Sequence, residues 1–180
     1  VCNPMGFTRL VLDNEPIELV MLNDRVLHLF QWEWTLRELW LDGRQLPSGD
    51  NLENLGQSWY GESVARWDGN TLVVQTTGLD ERAWLDNNGN PKSYQAVFEE
   101  RYQRTATDTI ELTISVTDPA FYTAPWVGGK RVYRRLPLSE VSFSGWKDLY
   151  SGNTDAICAP TNEAEDYNKR IRDPAAYGGK

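Results

Sequence analysis

The chain has 180 residues, a formal net charge of −8 and one histidine. A chain of this length fits one domain with a full hydrophobic core, and it lacks the run of about 18 apolar residues that a membrane-spanning helix needs. Its basic residues are scattered along an acidic sequence, which argues against nucleic acid and anionic membranes as partners, because both bind to a positive face.

Strand patterns follow one another along most of the chain. The run 109–117 alternates apolar and polar residues at every position, as a half-buried strand does. Asp68 and Gly69 lie between two β-rich runs and predict a tight hairpin turn, and a second hairpin is predicted with its turn at 106–108. The predicted strands are 17–23, 25–32, 36–43, the two arms of the hairpin 62–78, 94–105, 109–117, 130–137 and 140–146.

Helix signals are few, and one lies near the end of the chain. Asn162 can cap a helix, Glu165 stands three residues later, and Pro174 ends the pattern. Two long polar loops, 44–58 and 79–93, can cover an opening. The sequence therefore predicts an all-β fold. We expect an antiparallel β-barrel of roughly 8–10 strands over residues 1–150, in preference to a sandwich, and a tail at 151–180 with a short helix beside the barrel.

One face of the strand at 94–104 is apolar and would carry a carboxylate into the barrel. Glu100 shares that face with Phe98 and Tyr102, so it is expected to point inward among aromatic rings. A carboxylate in such surroundings must be paired or hold a proton, which is how a general acid or base is tuned. Arg134 alternates with apolar neighbours and is also expected to point inward, so a structural Glu100–Arg134 ion pair is the alternative.

Two further residues are candidates for proton transfer. Glu62 opens a strand near a mouth of the barrel, either as a catalytic carboxylate or as a solvated strand end. His28 alternates with Phe30 and Trp32 on one wall, where it could shuttle protons or be a core histidine with one hydrogen bond. With a single histidine and no loop of calcium-ligand spacing, the sequence predicts no metal site and no cofactor.

The chain holds eight tryptophans, a large number for its length. In a barrel, tryptophans line a pocket for an apolar or ring-shaped ligand, whereas in a solvent-facing row they form a sugar platform, and some only fill the core. Cys2 and Cys158 lie near opposite ends of the sequence. They either close one long loop in an oxidising compartment or remain two separate thiols.

Five short motifs stand out: LDGR, WYGxSV, WxGxTLVV, WLDxxGxP and DPxxYTxPW. Together with the leading CNPMGFTR they resemble a large family of bacterial proteins without an assigned function, and the resemblance covers roughly residues 2–126. Members of that family commonly look secreted or periplasmic. The resemblance implies a lipocalin-like or calycin-like barrel and a periplasmic or secreted location, with the cytoplasm as the alternative.

The chain departs from this family at a set of polar positions. Family members often carry histidine where this chain has Trp34, Glu62, Asn90 and Lys92. They often carry an acid where it has Gln31 and Gln75. The positions that match the family are Asp86, Glu100, Arg101, Tyr122 and Trp126. The comparison implies either a specialised branch with a pocket rebuilt around Glu62 and Trp34, or a scaffold that is no longer catalytic.

These observations favour a cofactor-independent enzyme whose barrel pocket takes a small, largely apolar or ring-bearing molecule as its partner. Acid–base proton transfer, as in an isomerase, a lyase or a hydratase, needs only a tuned pair of groups in a dry pocket. The alternatives are a non-catalytic lipocalin-like binding protein and a carbohydrate-binding module. The predicted catalytic residues are Glu62, Glu100, His28, Tyr94 and Tyr122. The predicted substrate-binding residues are Trp32, Trp34, Gln31, Gln75, Asp86, Trp126 and Arg134.

Overall fold

The computed structural model describes residues 6–13, 16–30 and 35–137 of the chain. Strands dominate its regular structure, which confirms the predicted all-β class. Two short helices accompany them: α1 (Phe7–Leu12) precedes the first strand, and α2 (Gly49–Leu55) lies in a predicted loop. The strands are β1 (Ile17–Met21), β2 (Arg25–Phe30), β3 (Leu36–Trp40), β4 (Glu62–Asp68), β5 (Thr71–Thr77), β6 (Val97–Ala106), β7 (Thr109–Thr117), β8 (Trp126–Val127) and β9 (Arg131–Arg134).

The strands form one sheet that curls into a half-barrel. They are ordered from β1 to β8 as in the sequence, and β9 pairs with β7 as well. Both β8 and β9 add to β7, β8 near its end and β9 near its beginning. Within the described ranges β1 does not pair with β8 or β9, so closure of the barrel remains a prediction.

One pair of neighbouring strands departs from the antiparallel pattern that the sequence predicts. β3 pairs with β4 in parallel, with Trp40 opposite Val64. A parallel pair needs a crossover connection, and residues 41–61, which include α2, provide it. The purely antiparallel prediction is wrong here, because hydrophobic alternation reports which face of a strand is buried and not the direction of its neighbour.

The two predicted hairpins are confirmed. Asp68 pairs with Thr71 across the turn between β4 and β5. Gly69 in that turn has a φ of +59°, a conformation that glycine adopts without the clash of a Cβ atom. β6 and β7 form the second hairpin, which is antiparallel over its whole length and has one register irregularity near its turn.

Helix α1 packs against the inner face of the sheet and was not predicted. Phe7, Leu10 and Val11 are buried in the same core as the inward residues of the strands. The ring of Phe7 meets the ring of Phe98 edge to face, with 5.3 Å between centroids. Tyr133 of β9 donates its hydroxyl to the Val11 carbonyl at 3.0 Å. The helix therefore fills part of the space that the curl of the sheet creates.

Some predicted features lie outside the described residues. They are the strand 140–146, the C-terminal helix, both cysteines and the predicted substrate-binding residues Gln31, Trp32 and Trp34. Within the described ranges, neither helix is long and apolar enough to cross a membrane.

Candidate functional site

Buried polar side chains meet at the middle of the inner face, and we call this group the inner polar cluster. Its members come from inward positions of five neighbouring strands, β2 to β6, where a core normally holds apolar residues. None is more than 5% exposed. The cluster consists of His28, Arg37, Ser63, Thr76, Glu100 and Tyr102.

An ion pair between Arg37 and Glu100 lies at the centre of the cluster. The guanidinium donates to both carboxylate oxygens, with Nη1–Oε1 at 3.2 Å and Nη2–Oε2 at 3.0 Å. Nη2 also lies 3.1 Å from the hydroxyl oxygens of Ser63 and Thr76. Tyr102 donates its hydroxyl to Oε1 of Glu100 at 2.8 Å. Glu100 therefore points inward, as the sequence predicts, and donors surround its carboxylate.

The partner of Glu100 is not the one that the sequence suggests. Arg134 is exposed on β9, so the predicted Glu100–Arg134 pair is wrong. Two strands separate β3 from β6 in the sheet, and the curl lets the long side chain of Arg37 reach Glu100 across them. From the other side, the Phe7 ring of α1 covers the guanidinium at 4.0 Å, a cation–π arrangement.

His28 lies beside this ion pair and is fully buried. Its Nδ1 is 3.5 Å from Nη1 of Arg37, and because a guanidinium only donates, Nδ1 accepts and the ring proton resides on Nε2. Burial first, and then the charge of Arg37, lower the pKa of His28 well below its ordinary value of 6.5. The imidazole is therefore neutral at physiological pH, and it stacks on Phe30 with 4.0 Å between ring centroids.

Three buried polar atoms in and around the cluster have no hydrogen-bond partner among the described residues. They are Nε2 of His28, Nε of Arg37 and Oγ1 of Thr8. The first two are N–H donors, and Thr8 follows the phenylalanine that covers Arg37. A buried polar group without a partner costs about 1–3 kcal/mol, and such groups are rare in native cores. The cluster thus has free donor capacity suited to an oxygen acceptor.

A surface hollow of about 220 Å³ adjoins the edge of the half-barrel. Tyr133 lines this hollow, and its hydroxyl is affected by the charge of Glu100 in the cluster. Burial first, and then the charge of Glu100, raise the pKa of Tyr133 to about 12, and the same two causes raise the pKa of Tyr102. Both tyrosines are therefore neutral donors at physiological pH. The hollow is lined by Asp13, Lys130, Arg131, Val132 and Tyr133.

The other predicted catalytic residues lie at the end of the sheet where β4 begins and β5 ends. Glu62 is exposed at the first position of β4. Tyr94 is half-buried in the loop before β6, and Tyr122 is half-buried after β7, where its hydroxyl donates to the Pro91 carbonyl at 2.6 Å. Among the described residues, no hydrogen bond joins any of these three to the inner polar cluster. Of the predicted catalytic set, the structure brings only His28 and Glu100 together.

The predicted substrate-binding residues that the structure describes are spread over the molecule. Gln75 is half-buried on β5, and Trp126 is half-buried on β8. Asp86 lies in the loop between β5 and β6, where its Oδ2 accepts from the side-chain amide of Asn90 at 2.7 Å. Together with the exposed Arg134, they form no single site.

Sequence reasoning missed the arginine at the centre of the cluster, although the signal was present. Arg37 alternates with Leu39 on the buried face of β3, while Leu36 on the opposite face is 52% exposed. The alternation that predicted an inward Glu100 also applies to Arg37. No sequence pattern indicated the position of Tyr133, because its hydroxyl is held by the Val11 carbonyl of the unpredicted helix α1.

Within the described ranges, no three His, Cys, Asp or Glu side chains are grouped so as to hold a metal ion. No protein-family model, curated protein or solved structure shows a significant match to the chain.

Proposed function

We propose that this protein is a cofactor-independent enzyme that transfers a proton on a small, largely apolar or ring-bearing carbonyl compound bound at the inner polar cluster. The reaction class is that of an isomerase, a lyase or a hydratase. The proposal is supported by two buried N–H donors that have no hydrogen-bond partner among the described residues, Nε2 of His28 and Nε of Arg37, next to the hydrophobic core.

The energetics of the cluster support a role beyond stability. Removing two charges from water offsets much of their attraction, and apolar replacements of similar volume are often neutral or stabilising. Arg37 and Glu100 are 3% and 0% exposed, so both carry that desolvation cost. His28 adds a donor that has no partner among the residues that the structure describes. Departures of this kind from a consistent apolar core are expected at functional sites.

In this proposal His28 and Arg37 polarise the carbonyl of the substrate. Their free N–H groups donate to the oxygen on which negative charge develops, and the low dielectric of the core strengthens that interaction. A neutral imidazole suits this task because it keeps its proton while it donates. Glu100 is a positioning residue that orients Arg37, since donors already occupy its carboxylate.

In this proposal the substrate would approach the cluster from the hollow beside Tyr133, and Asp13, which lines that hollow, would act as the base. Both residues line the hollow, and the charge of Asp13 contributes to the raised pKa of Tyr133. A volume of about 220 Å³ is below the roughly 300 Å³ at which pockets for drug-sized ligands begin, which suits one small ring. Glu62 is exposed at the opposite end of the sheet and has no role in this proposal.

Exchange of carbon-bound protons tests the proposal without knowledge of the natural substrate. Cyclohexanone and 2-cyclohexenone are incubated with the full chain in D₂O, and NMR follows the loss of the protons next to the carbonyl. We expect exchange faster than in buffer. His28→Gln and Asp13→Asn should slow it by about tenfold or more, as loss of a donor or base does.

Glu62→Gln is the matched control, because it changes an exposed carboxylate remote from the cluster and should leave the exchange unchanged. Circular dichroism establishes that each variant is folded. Wild-type exchange no faster than in buffer, or equal exchange in all three variants, contradicts the proposal.

A lipocalin-like binding protein is the second candidate. The apolar side of the inner face favours it, since α1 buries Phe7, Leu10 and Val11 there in the manner of an apolar ligand. A blue shift of tryptophan emission on addition of the same ketones, without proton exchange, would support binding alone.

A carbohydrate-binding module is a further alternative, because Trp67 and Trp84 are exposed. Quenching of their fluorescence by oligosaccharides would support it. Membership of the bacterial family and a periplasmic or secreted location remain predictions.

A further inference from the structure

A buried lysine stands apart from the inner polar cluster. Lys92 lies in the loop between β5 and β6 and is 2% exposed. Its Nζ donates to the backbone carbonyl of Asp80 at 2.5 Å. None of the described carboxylates forms an ion pair with it, because Asp80 is engaged with Arg82 and Asp118 binds the backbone and hydroxyl of Ser93. A buried ammonium is normally paired, so this arrangement needs an explanation.

The surroundings of Lys92 increase the share of its neutral amine at pH 7, although the ammonium remains the main form. Burial is the main cause that lowers the pKa of Lys92 from 10.5 to about 8, and the nearby charges of Asp80, Glu81 and Asp118 oppose that shift. At pH 7 about a tenth of such a lysine is neutral, against about 0.03% of an ordinary one. An uncharged lysine amine is the form that attacks carbonyl compounds.

We propose that Lys92 is a carbonyl-reactive amine that takes up a small neutral aldehyde as a protonated imine. The lone pair of Nζ attacks the aldehyde carbon and a C–N bond forms. The carbonyl oxygen then leaves as water, with two hydrogens from the original ammonium. The product is an iminium that retains one hydrogen on nitrogen and the same single positive charge. No oxidant or reductant takes part.

The negative charges near Lys92 favour neutral aldehydes over CO₂ and over aldehydes that carry a carboxylate. Asp80, Glu81 and Asp118 stabilise a positive iminium as they would an ammonium. The same three carboxylates disfavour a carbamate formed with CO₂, which would be negative, and they repel aldehydes that bear a carboxylate. Burial to 2% exposure favours a small reagent. The site lies away from the inner polar cluster, so the inference does not rest on the proposed function.

The loop segment that holds Lys92 is fixed on both sides. Tyr122 donates its hydroxyl to the carbonyl of Pro91 at 2.6 Å, and Asp118 accepts from the backbone N–H of Ser93 at 2.6 Å. Loss of the first contact would loosen the segment next to Lys92, so Tyr122→Phe should increase the reactivity of Lys92 without removing any group that reacts.

Reductive trapping tests the inference on the full chain. Acetaldehyde and cyanoborohydride are added near pH 7, and peptide mass spectrometry measures alkylation at each lysine. Lys130 is the internal control, because it is 56% exposed and paired with Glu111. We expect Lys92 to be alkylated about tenfold faster than Lys130 near pH 7, with a rate that rises as the pH passes through about 8. Tyr122→Phe should accelerate Lys92 alone, and glyoxylate should label Lys92 more slowly than acetaldehyde does.

Two results overturn the inference. One is labelling of Lys92 no faster than that of Lys130 in both the wild type and Tyr122→Phe. The other is equal labelling of Lys92 by glyoxylate and acetaldehyde, since the acidic surroundings would then exert no selection.

Discussion

Removal of Arg37 alone should strongly destabilise the fold. Arg37→Met keeps an unbranched chain but leaves Glu100 fully buried with Tyr102 as its remaining described donor. An uncompensated buried charge costs about 3–5 kcal/mol. For a domain of this size each kcal/mol corresponds to roughly 2–4 °C, so the melting temperature should fall by about 6–20 °C.

Removal of both charges should restore most of that loss. In Arg37→Met/Glu100→Leu no charged side chain remains in the inner polar cluster, and Ser63 and Thr76 still share their 2.9 Å hydrogen bond. We expect the free energy of unfolding of the double variant to lie within about 2 kcal/mol of the wild type, above that of either single variant. Guanidinium chloride denaturation of the four proteins, followed by tryptophan fluorescence, gives the coupling energy of the pair.

Two outcomes would refute this reasoning. One is a loss below about 1 kcal/mol for each single variant, which would mean that the charges are not desolvated as their burial implies. The other is a double variant that loses the sum of the single losses, since additivity excludes coupling. The double variant also separates stability from the proposed function, because it should fold and yet lose the carbon-proton exchange in which we propose that Arg37 takes part.

Three further predictions concern individual residues. The pKa of His28 is lower in the folded protein than in the unfolded chain. As the pH falls below 6.5, the imidazole therefore becomes protonated in the unfolded chain first. The contribution of neutral His28 to stability is full above pH 6.5 and is lost progressively below it. Relative to His28→Gln, the free energy of unfolding of the wild type should therefore fall by about 1.4 kcal/mol for each pH unit below 6.5. Denaturation of both proteins at about pH 7.5, 6 and 5 measures this difference. Thr8→Val removes a buried hydroxyl that has no partner in the described part of the chain, and it should raise the free energy of unfolding by about 0.5–2 kcal/mol; a decrease would show that the hydroxyl is hydrogen-bonded in solution. Gly61→Ala places a Cβ 2.4 Å from the Thr77 carbonyl oxygen at a φ of +66°, whereas Gly43→Ala has a φ of +83° and no atom within 4 Å. The first should therefore lower the melting temperature clearly more than the second, and equal losses would mean that only the positive φ matters.

The sequence by itself determined the features that depend on neighbouring residues. Alternation of apolar and polar positions predicted the strands and the inward direction of Glu100, because successive side chains of a strand point to opposite faces. The Asp68–Gly69 pair predicted its hairpin because few residues other than glycine tolerate that turn. These are local constraints, so no knowledge of the fold is needed to apply them.

Only the tertiary structure decided which groups meet. Arg37 reaches Glu100 over two intervening strands, and the parallel pairing of β3 with β4 sets its position. The six residues of α1 are too few for a periodic signal, yet their burial brings Phe7 onto Arg37 and joins Val11 to Tyr133. Contacts between residues distant in the chain depend on the curl of the sheet and on what packs inside it. The sequence therefore supplies the polar residues of the inner polar cluster, and the fold determines which of them form hydrogen bonds and ion pairs with one another.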